Sequence, residues 1–235
     1  MAQSTVRVLQ TVEHRCGYYP DRSARNLVID PSADHQEVIY DAVTASGFRR
    51  AGDLIFRPHC RNCNACHATR IPVDRFEPNR AQRRCWRRNS DLKTRVSEAH
   101  LSDENFRLYE RYLNHRHPGG GMDNPRREDF ENFLLSRWAN TLFIELRWDE
   151  RLLGIAVTDR LASGLSAVYC FYDHTWRDRS LGTFAILTQL AYARELGLPY
   201  LYLGYWLPGH PKMAYKTRFR PIEIFSRGRW QPPPS

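Results

Sequence analysis

Between residues 142 and 172 the chain alternates strand-forming runs with very short turns, and that alone dictates how those strands can pair. Runs 142–148, 152–158 and 165–172 are rich in Leu, Ile, Val, Phe and Tyr, and Asp149-Glu150 and Ser163-Gly164 break them. Connections this short return each strand beside the last, so the three runs predict an antiparallel meander. Ser180-Leu-Gly-Thr183 then opens a long amphipathic helix to about residue 196, followed by a strand at 200–206. A short helix at about 211–218 and a last strand at 221–226 complete this half. Two amphipathic helices precede the meander, at 103–115 (Phe106, Leu108, Tyr109 and Tyr112 at helical spacing) and at 127–138, joined by the glycine-rich loop 115–122.

The front of the chain has a different texture. It predicts a strand at 27–30, a helix at 33–46 carrying Val38, Ala42 and Val43 on its apolar face and stopped by Gly47, strands at 48–57 and 68–73, and a basic helix at 80–89. With 235 residues, 42% of them hydrophobic, the chain can bury a core as one large or two small domains, and the change of texture suggests a division into 1–95 and 96–235. The expected class is α+β: a mainly antiparallel sheet flanked by helices, preceded by a smaller, basic, cysteine-containing α/β region.

Charge follows the same division. The formal net charge is +9, of which residues 1–95 carry +7 and residues 96–235 carry +2. Between Arg75 and Arg95 eight Lys/Arg face only Glu77 and Asp91, a local net charge of +6. Arginine is used almost wherever a cation is wanted, since Lys93, Lys212 and Lys216 are the only lysines; the charge asymmetry is unaffected by that preference. A dense polycation points to a polyanion such as nucleic acid. Arg84, Arg87, Arg88, Lys93 and Arg95 are the candidate phosphate contacts, with Trp86 available for base stacking, against the plain alternative of a solvated basic face.

Six cysteines, no apolar leader in the first twenty residues and no run long enough to span a membrane predict a cytoplasmic protein with reduced thiols. Cys60, Cys63 and Cys66 follow one another at two-residue gaps, so one loop could present several sulfurs to a tetrahedral ion, with Cys16 as a fourth donor for zinc or an iron–sulfur cluster. Packed, reduced thiols are the competing reading. Tyr172 and Asp173 end the central strand, where Asp173 could orient or deprotonate an incoming ammonium or could simply form a turn. Tyr205, Lys212, Tyr215 and Lys216 make an aromatic, cationic cluster fit for a phosphate or carboxylate, or for ordinary packing. Arg70, Arg80 and Arg83 are candidate forks for a carboxylate.

The order of two helices, meander, turn, helix and strand is similar to that of GNAT-type acyltransferases. The free N–H groups around Leu181, Gly182 and Thr183 would then face an anion or a developing oxyanion. With its ordered blocks the chain resembles the aminoacyl-tRNA–protein transferases, in particular the bacterial aspartate/glutamate leucyltransferases. The blocks are Cys16-Gly-Tyr-Tyr-Pro-Asp-Arg22, Gly47-Phe-Arg-Arg, Phe56-Arg57-Pro58 with the cysteine triplet, Gln82-Arg-Arg-Cys-Trp-Arg-Arg-Asn89, Ser166-Ala-Val-Tyr169, Ser180-Leu-Gly-Thr183, Tyr200 to Trp206 and Lys212-Met-Ala-Tyr-Lys216. The resemblance implies transfer of leucine from leucyl-tRNA to the α-amine of proteins beginning with Asp or Glu, which marks them for degradation by the N-end rule pathway. It implies tRNA and protein partners, no DNA, no membrane, and no cofactor for the chemistry. Eukaryotic relatives carry a second cysteine where this chain has Tyr19, so a metal site carries over only in part. An arginyl-tRNA donor, or an acyl-CoA-dependent acetyltransferase, remain as alternatives.

Overall fold

The computed structural model describes residues 6–116, 118, 119 and 121–234; His117 and Gly120 of the glycine-rich loop lie outside the described residues. Fourteen strands and five α-helices follow one another among these residues. They are β1 (Val8–Gln10), β2 (His14–Arg15), β3 (Ser23–Ala24), β4 (Asn26–Ile29), α1 (Gln36–Thr44), β5 (Arg49–Ala51), β6 (Leu54–Pro58), β7 (His67–Pro72), α2 (Arg80–Arg88) and β8 (Lys93–Glu98). The chain continues with α3 (Asp103–Arg116), α4 (Arg127–Leu134), β9 (Thr141–Trp148), β10 (Arg151–Leu161), β11 (Gly164–Tyr172), α5 (Leu181–Glu195), β12 (Tyr200–Trp206), β13 (Glu223–Ser226) and β14 (Arg229–Gln231). Residues Arg177–Arg179 and Ala214–Arg218 are short 3-10 turns.

The mixed α+β architecture has a large, mostly antiparallel sheet with helices on both faces. Its strand order is β14-β13-β7-β12-β11-β10-β9-β8, and β9, β10 and β11 form the antiparallel meander expected from their turns. α5 and α2 cover one face around Ile144, Leu153, Leu165, Phe184 and Leu201; α3 and α4 cover the other around Leu108, Phe130, Phe143, Ile155 and Phe171. The alternation of Phe143 with Ile144, on one strand, between these two cores is the period-2 signature of a sheet buried on both sides.

The sheet does not divide at residue 95. β7, from the front of the chain, pairs antiparallel with both β12 and β13, and β8 pairs with β9 at the opposite edge. A second sheet, β1-β4-β6-β5, packs with α1 on the large one through Ile29, Tyr40, Ile55, Leu161 and Tyr202. Several local expectations give way to tertiary contacts. The run 48–57 is a hairpin, β5–β6, because Gly52 turns at φ 54° where a Cβ would lie 2.0 Å from Asn132 O. In α1 the buried face is Gln36, Tyr40 and Thr44, while Val38 stays 63% exposed. Polar bonding decides this face: the Tyr40 hydroxyl reaches Asp159 and Ser166 (both 3.1 Å), and Thr44 donates back to Tyr40 O.

The join between the sheets is electrostatic at its centre. Arg50, on β5, and Asp159, on β10, have fully buried side chains and meet through two bonds of 2.6 and 2.7 Å. Arg50 also donates to Gly52 O, Leu134 O and the Thr141 hydroxyl, which leaves few of its donors unpaired.

Candidate active site

β11 and β12 are the parallel neighbours in the large sheet, and they are paired only at Leu165–Leu201 and Ser166–Tyr202. Beyond that the strands part, and β12 shifts register against β7 between Tyr202 and Gly204. Carbonyls that a continuous ladder would have satisfied need other donors. Two cationic side chains supply them. Arg49, arriving from β5, donates to Val168 O of β11 (3.2 Å). Lys216, arriving from the turn after β12, donates to Leu203 O (2.6 Å) and Tyr205 O of β12. Gly204, at φ 71°, makes room for Arg49: a Cβ there would stand 2.7 Å from Arg49 Nη1.

The result is a wedge where two parallel strands part toward their carboxyl ends, with Arg49 and Lys216 bonded to their carbonyls. Aromatic groups surround it. Tyr172 packs 5.0 Å from Tyr112 of α3 and closely enough on Gly182 that a Cβ there would be 3.2 Å from its ring. Tyr215 is exposed beside Lys216, whose ammonium lies 5.9 Å from the Tyr215 ring centroid. His115 and His174 stack at 3.9 Å, and His174 Nδ1 is buried without a partner. Burial pushes the Lys216 ammonium down to about 7, with Arg49 adding to the fall. A neutral amine keeps two N–H groups, enough for both carbonyls. Burial likewise raises the Cys170 thiol to about 12, so Cys170 stays a thiol here.

At the start of α5 the amides of Thr183 and Phe184 bond to Ser180 O (2.9 and 3.1 Å). Those of Leu181 and Gly182 have no such bond among the described residues, which leaves two unpaired N–H groups at the helix end rather than the four of a bare terminus.

Comparison with known proteins shows the family of the chain. Residues 14–84 match the family model for the N terminus of arginine-tRNA-protein transferase, and residues 104–226 match that for its C terminus. The aspartate/glutamate leucyltransferase of Stenotrophomonas maltophilia (strain K279a) is 52% identical over 231 residues, covering 96% of this chain and 92% of that protein. That of Hahella chejuensis (strain KCTC 2396) is 49% identical over 220 residues, 94% of each. The chain belongs to the aspartate/glutamate leucyltransferase family. Among solved structures, FemX matches with a TM-score of 0.51 at 13% identity, over 86% of this chain and 69% of FemX. A C-terminal domain assigned to a lysylphosphatidylglycerol synthetase of Agrobacterium fabrum matches with a TM-score of 0.53 at 15% identity, over 80% of this chain and 65% of that one. At such identities these two speak for the fold alone.

In this leucyltransferase-family chain the residues singled out by sequence fall into distinct places. Tyr172, Tyr215, Lys216, Leu181 and Gly182 gather at the wedge. Lys212 is exposed on the loop that follows β12. Tyr205 lies behind the wedge, 2% exposed, with its hydroxyl set between Gly47 O (3.1 Å) and Phe56 O (3.2 Å); it ties β12 to the front hairpin, and its ring belongs to the cysteine pocket on that side rather than to the wedge. Arg70 is already occupied: Nε donates to Glu223 (2.8 Å), and its guanidinium lies over Tyr200 and Trp230 at 3.7 and 4.4 Å. It is therefore not free to fork an acceptor's carboxylate.

Asp173 takes the turn reading rather than the base reading. It is 5% exposed and accepts from the Thr175 amide (3.0 Å), the Thr175 hydroxyl (2.6 Å) and Arg151 (2.9 Å). Burial alone would raise its carboxyl, but Thr175 and Arg151 outweigh it and hold the group below the usual carboxylate range. Such a carboxylate contributes stability above its unfolded value, near 3.9, and that contribution is lost only as pH falls through the lower folded value. Asp173→Asn is expected to cost about 1–3 kcal/mol in thermal or urea unfolding while leaving the limbs of the pH–rate profile between pH 6 and 9 in place. Disappearance of a limb in that variant would restore Asp173 as a proton acceptor.

Cys16, Cys60, Cys63 and Cys66 do come together, around a pocket of about 140 Å³ shared with Tyr18, Arg22 and Tyr205. Among the described residues no three His, Cys, Asp or Glu side chains are set as they would be around a metal ion. Within the pocket the Ala65 amide and the Arg22 guanidinium (3.4 Å from the sulfur) lower Cys63, whereas burial and the neighbouring sulfurs push Cys66 up to about 12.

α2 is strongly one-sided. An Asn79–Gln82 capping box starts it, and Gln82, Cys85 and Asn89 turn inward. Arg80, Arg83, Arg84, Arg87 and Arg88 all face solvent, Trp86 is 43% exposed against Phe184, and Lys93 and Arg95 extend the surface along the edge strand β8. Arg83 bends back to Pro78 O and Arg88 to Asp178 O, while Arg80, Arg84 and Arg87 have no protein partner among the described residues. Sequence reasoning singled out neither Arg49, which reaches Val168 O, nor the contact of Tyr112 with Tyr172. Gly47-Phe-Arg-Arg was among the matching blocks, yet nothing in its local pattern says that its first arginine crosses into the other half.

Proposed function

We propose that this protein transfers leucine from leucyl-tRNA to the α-amine of proteins that begin with Asp or Glu, in the cytoplasm, on a GNAT-like acyltransferase framework. The observation that carries this reading is the near full-length likeness to aspartate/glutamate leucyltransferases, joined to the parting of two parallel strands beside Arg49 and Lys216. The aminoacyl ester is already activated, so the reaction requires neither ATP nor a metal. The neutral α-amine attacks the ester carbonyl, the C–N bond forms, and the C–O bond to the terminal ribose breaks. The ribose hydroxyl takes up one proton while the former ammonium has given up another to solvent or a nearby acceptor. A free α-amine has a pKa of about 7.7–8.0, so a sizeable fraction is neutral without a strong base.

The residues here supply position and charge. The Leu181 and Gly182 amides suit the oxyanion of the tetrahedral intermediate. Tyr172 and Tyr215 wall the donor's leucyl group. The outward arginines of α2, with Trp86, Lys93 and Arg95, suit the phosphates and bases of the tRNA. Incubating the protein with radiolabelled leucyl-tRNA and a peptide beginning with Glu is expected to move label to the peptide, with arginyl-tRNA a poorer donor. Equal transfer from acetyl-CoA, or none from leucyl-tRNA, would refute the reading.

A further inference from the structure

A half-buried guanidinium with no carboxylate beside it is costly to maintain, because its desolvation is only partly offset. Arg49 is such a group. It makes one bond, to Val168 O, out of five N–H donors. Arg50, its neighbour in sequence, is by contrast clasped by Asp159. The other ionisable groups around the wedge do not compensate Arg49. Arg116, close enough to act on Tyr215, carries the same sign, and Lys216, pushed down to about 7, brings no negative charge; Tyr18, Tyr205, Tyr215 and Cys170 are neutral near pH 7, and the Tyr205 ring, 5.7 Å away, offers the guanidinium a π face but no countercharge. The space that admits the guanidinium is held open by a missing side chain, that of Gly204.

The geometry points to Arg49 as the residue that recognises the side-chain carboxylate of the acceptor's first residue, seating it in the wedge so that the adjoining α-amine faces the donor ester. This rests on the leucyl-transfer reading and gives that reaction its acceptor specificity. Arginine's planar fork presents parallel N–H groups that a carboxylate accepts in pairs, an arrangement a lone ammonium cannot copy. A carboxylate fits better than a tRNA phosphate because a broad cationic surface for phosphates already exists on α2 and β8. A neutral Asn or Gln would leave the charge uncompensated, which explains how a site could favour acids over their amides.

The test uses the full-length protein with two peptides that differ only in a first residue of Glu or Gln. Wild type is expected to favour Glu strongly. Arg49→Gln is expected to raise KM for the Glu peptide roughly 10–100-fold, with a smaller change in kcat, and to bring the Glu-over-Gln ratio close to one. Arg49→Lys should retain part of the preference. Gly204→Ala, which pushes a methyl onto Nη1, should lose it with Arg49 still present. A wild-type Glu preference in Arg49→Gln would overturn the proposal. So would an intact preference with weakened leucyl-tRNA affinity, which would make Arg49 a phosphate contact. If Arg49→Gln does not fold by circular dichroism, Arg49→Lys and Gly204→Ala decide by the same ratio. If wild type transfers no leucine at all, the functional reading fails separately; calorimetric binding of the Glu and Gln peptides to wild type and Arg49→Lys then decides the role of Arg49.

Discussion

Arg50→Met is expected to cost about 3–5 kcal/mol, because it strands the Asp159 carboxylate in a dry interior. Domain stabilities are about 5–15 kcal/mol in total, so the variant should be largely unfolded at 37 °C or melt far below wild type. The cost is high because Asp159 loses both bonds to Arg50, and Gly52 O, Leu134 O and the Thr141 hydroxyl lose a donor with it. The double variant Arg50→Met with Asp159→Leu is expected to be less damaged than the sum of the two single changes, since it removes the charge along with its partner. Chemical denaturation followed by circular dichroism measures all three. A mild effect of Arg50→Met alone, under about 1 kcal/mol, would mean that water reaches the pair and that the two sheets are joined mainly by their apolar contact.

Arg84→Glu combined with Arg87→Glu is expected to weaken tRNA binding roughly ten- to a hundredfold at moderate salt. The slope of log affinity against log salt should flatten by about 1.5, as two phosphate contacts disappear. Both side chains are exposed and free of protein partners among the described residues, so folding should be unaffected and the melting temperature serves as the control. Fluorescence anisotropy over a salt series gives both readouts. Unchanged affinity would take α2 out of the tRNA interface and leave the basic surface as a solvated face.

What could be read from the sequence follows a physical division. The meander, α5, β12 and the one-sided α2 were legible, because short turns, hydrophobic period and capping chemistry act within a few residues. The polycation and the closely spaced triplet Cys60, Cys63 and Cys66 were legible for the same reason. The wedge was legible only on one side: Tyr172, Leu181, Gly182, Tyr215 and Lys216 come from the expected half, whereas Arg49 enters from a hairpin that reads as one strand. Pattern also failed where polar bonding set the outcome. Val38 lost the buried face of α1 to Tyr40, and Arg70 and Asp173, attractive as free charged groups, turned out to be held by Glu223 and by Thr175 with Arg151. No local rule announces the partners of Tyr40 and Arg70, which lie more than a hundred residues away, whereas Asp173 is held mainly by the turn it opens at Thr175.

The place of β7 also has a consequence for biosynthesis. Its neighbours are β12 and β13, which leave the ribosome after more than a hundred further residues have been made. Until then both edges of β7 lack a mate, and the meander can form only a partial sheet beside it. A nascent chain stalled before residue 200 should therefore recruit chaperones and remain protease-sensitive, and protection should come in one late step when the C-terminal strands slide in on either side.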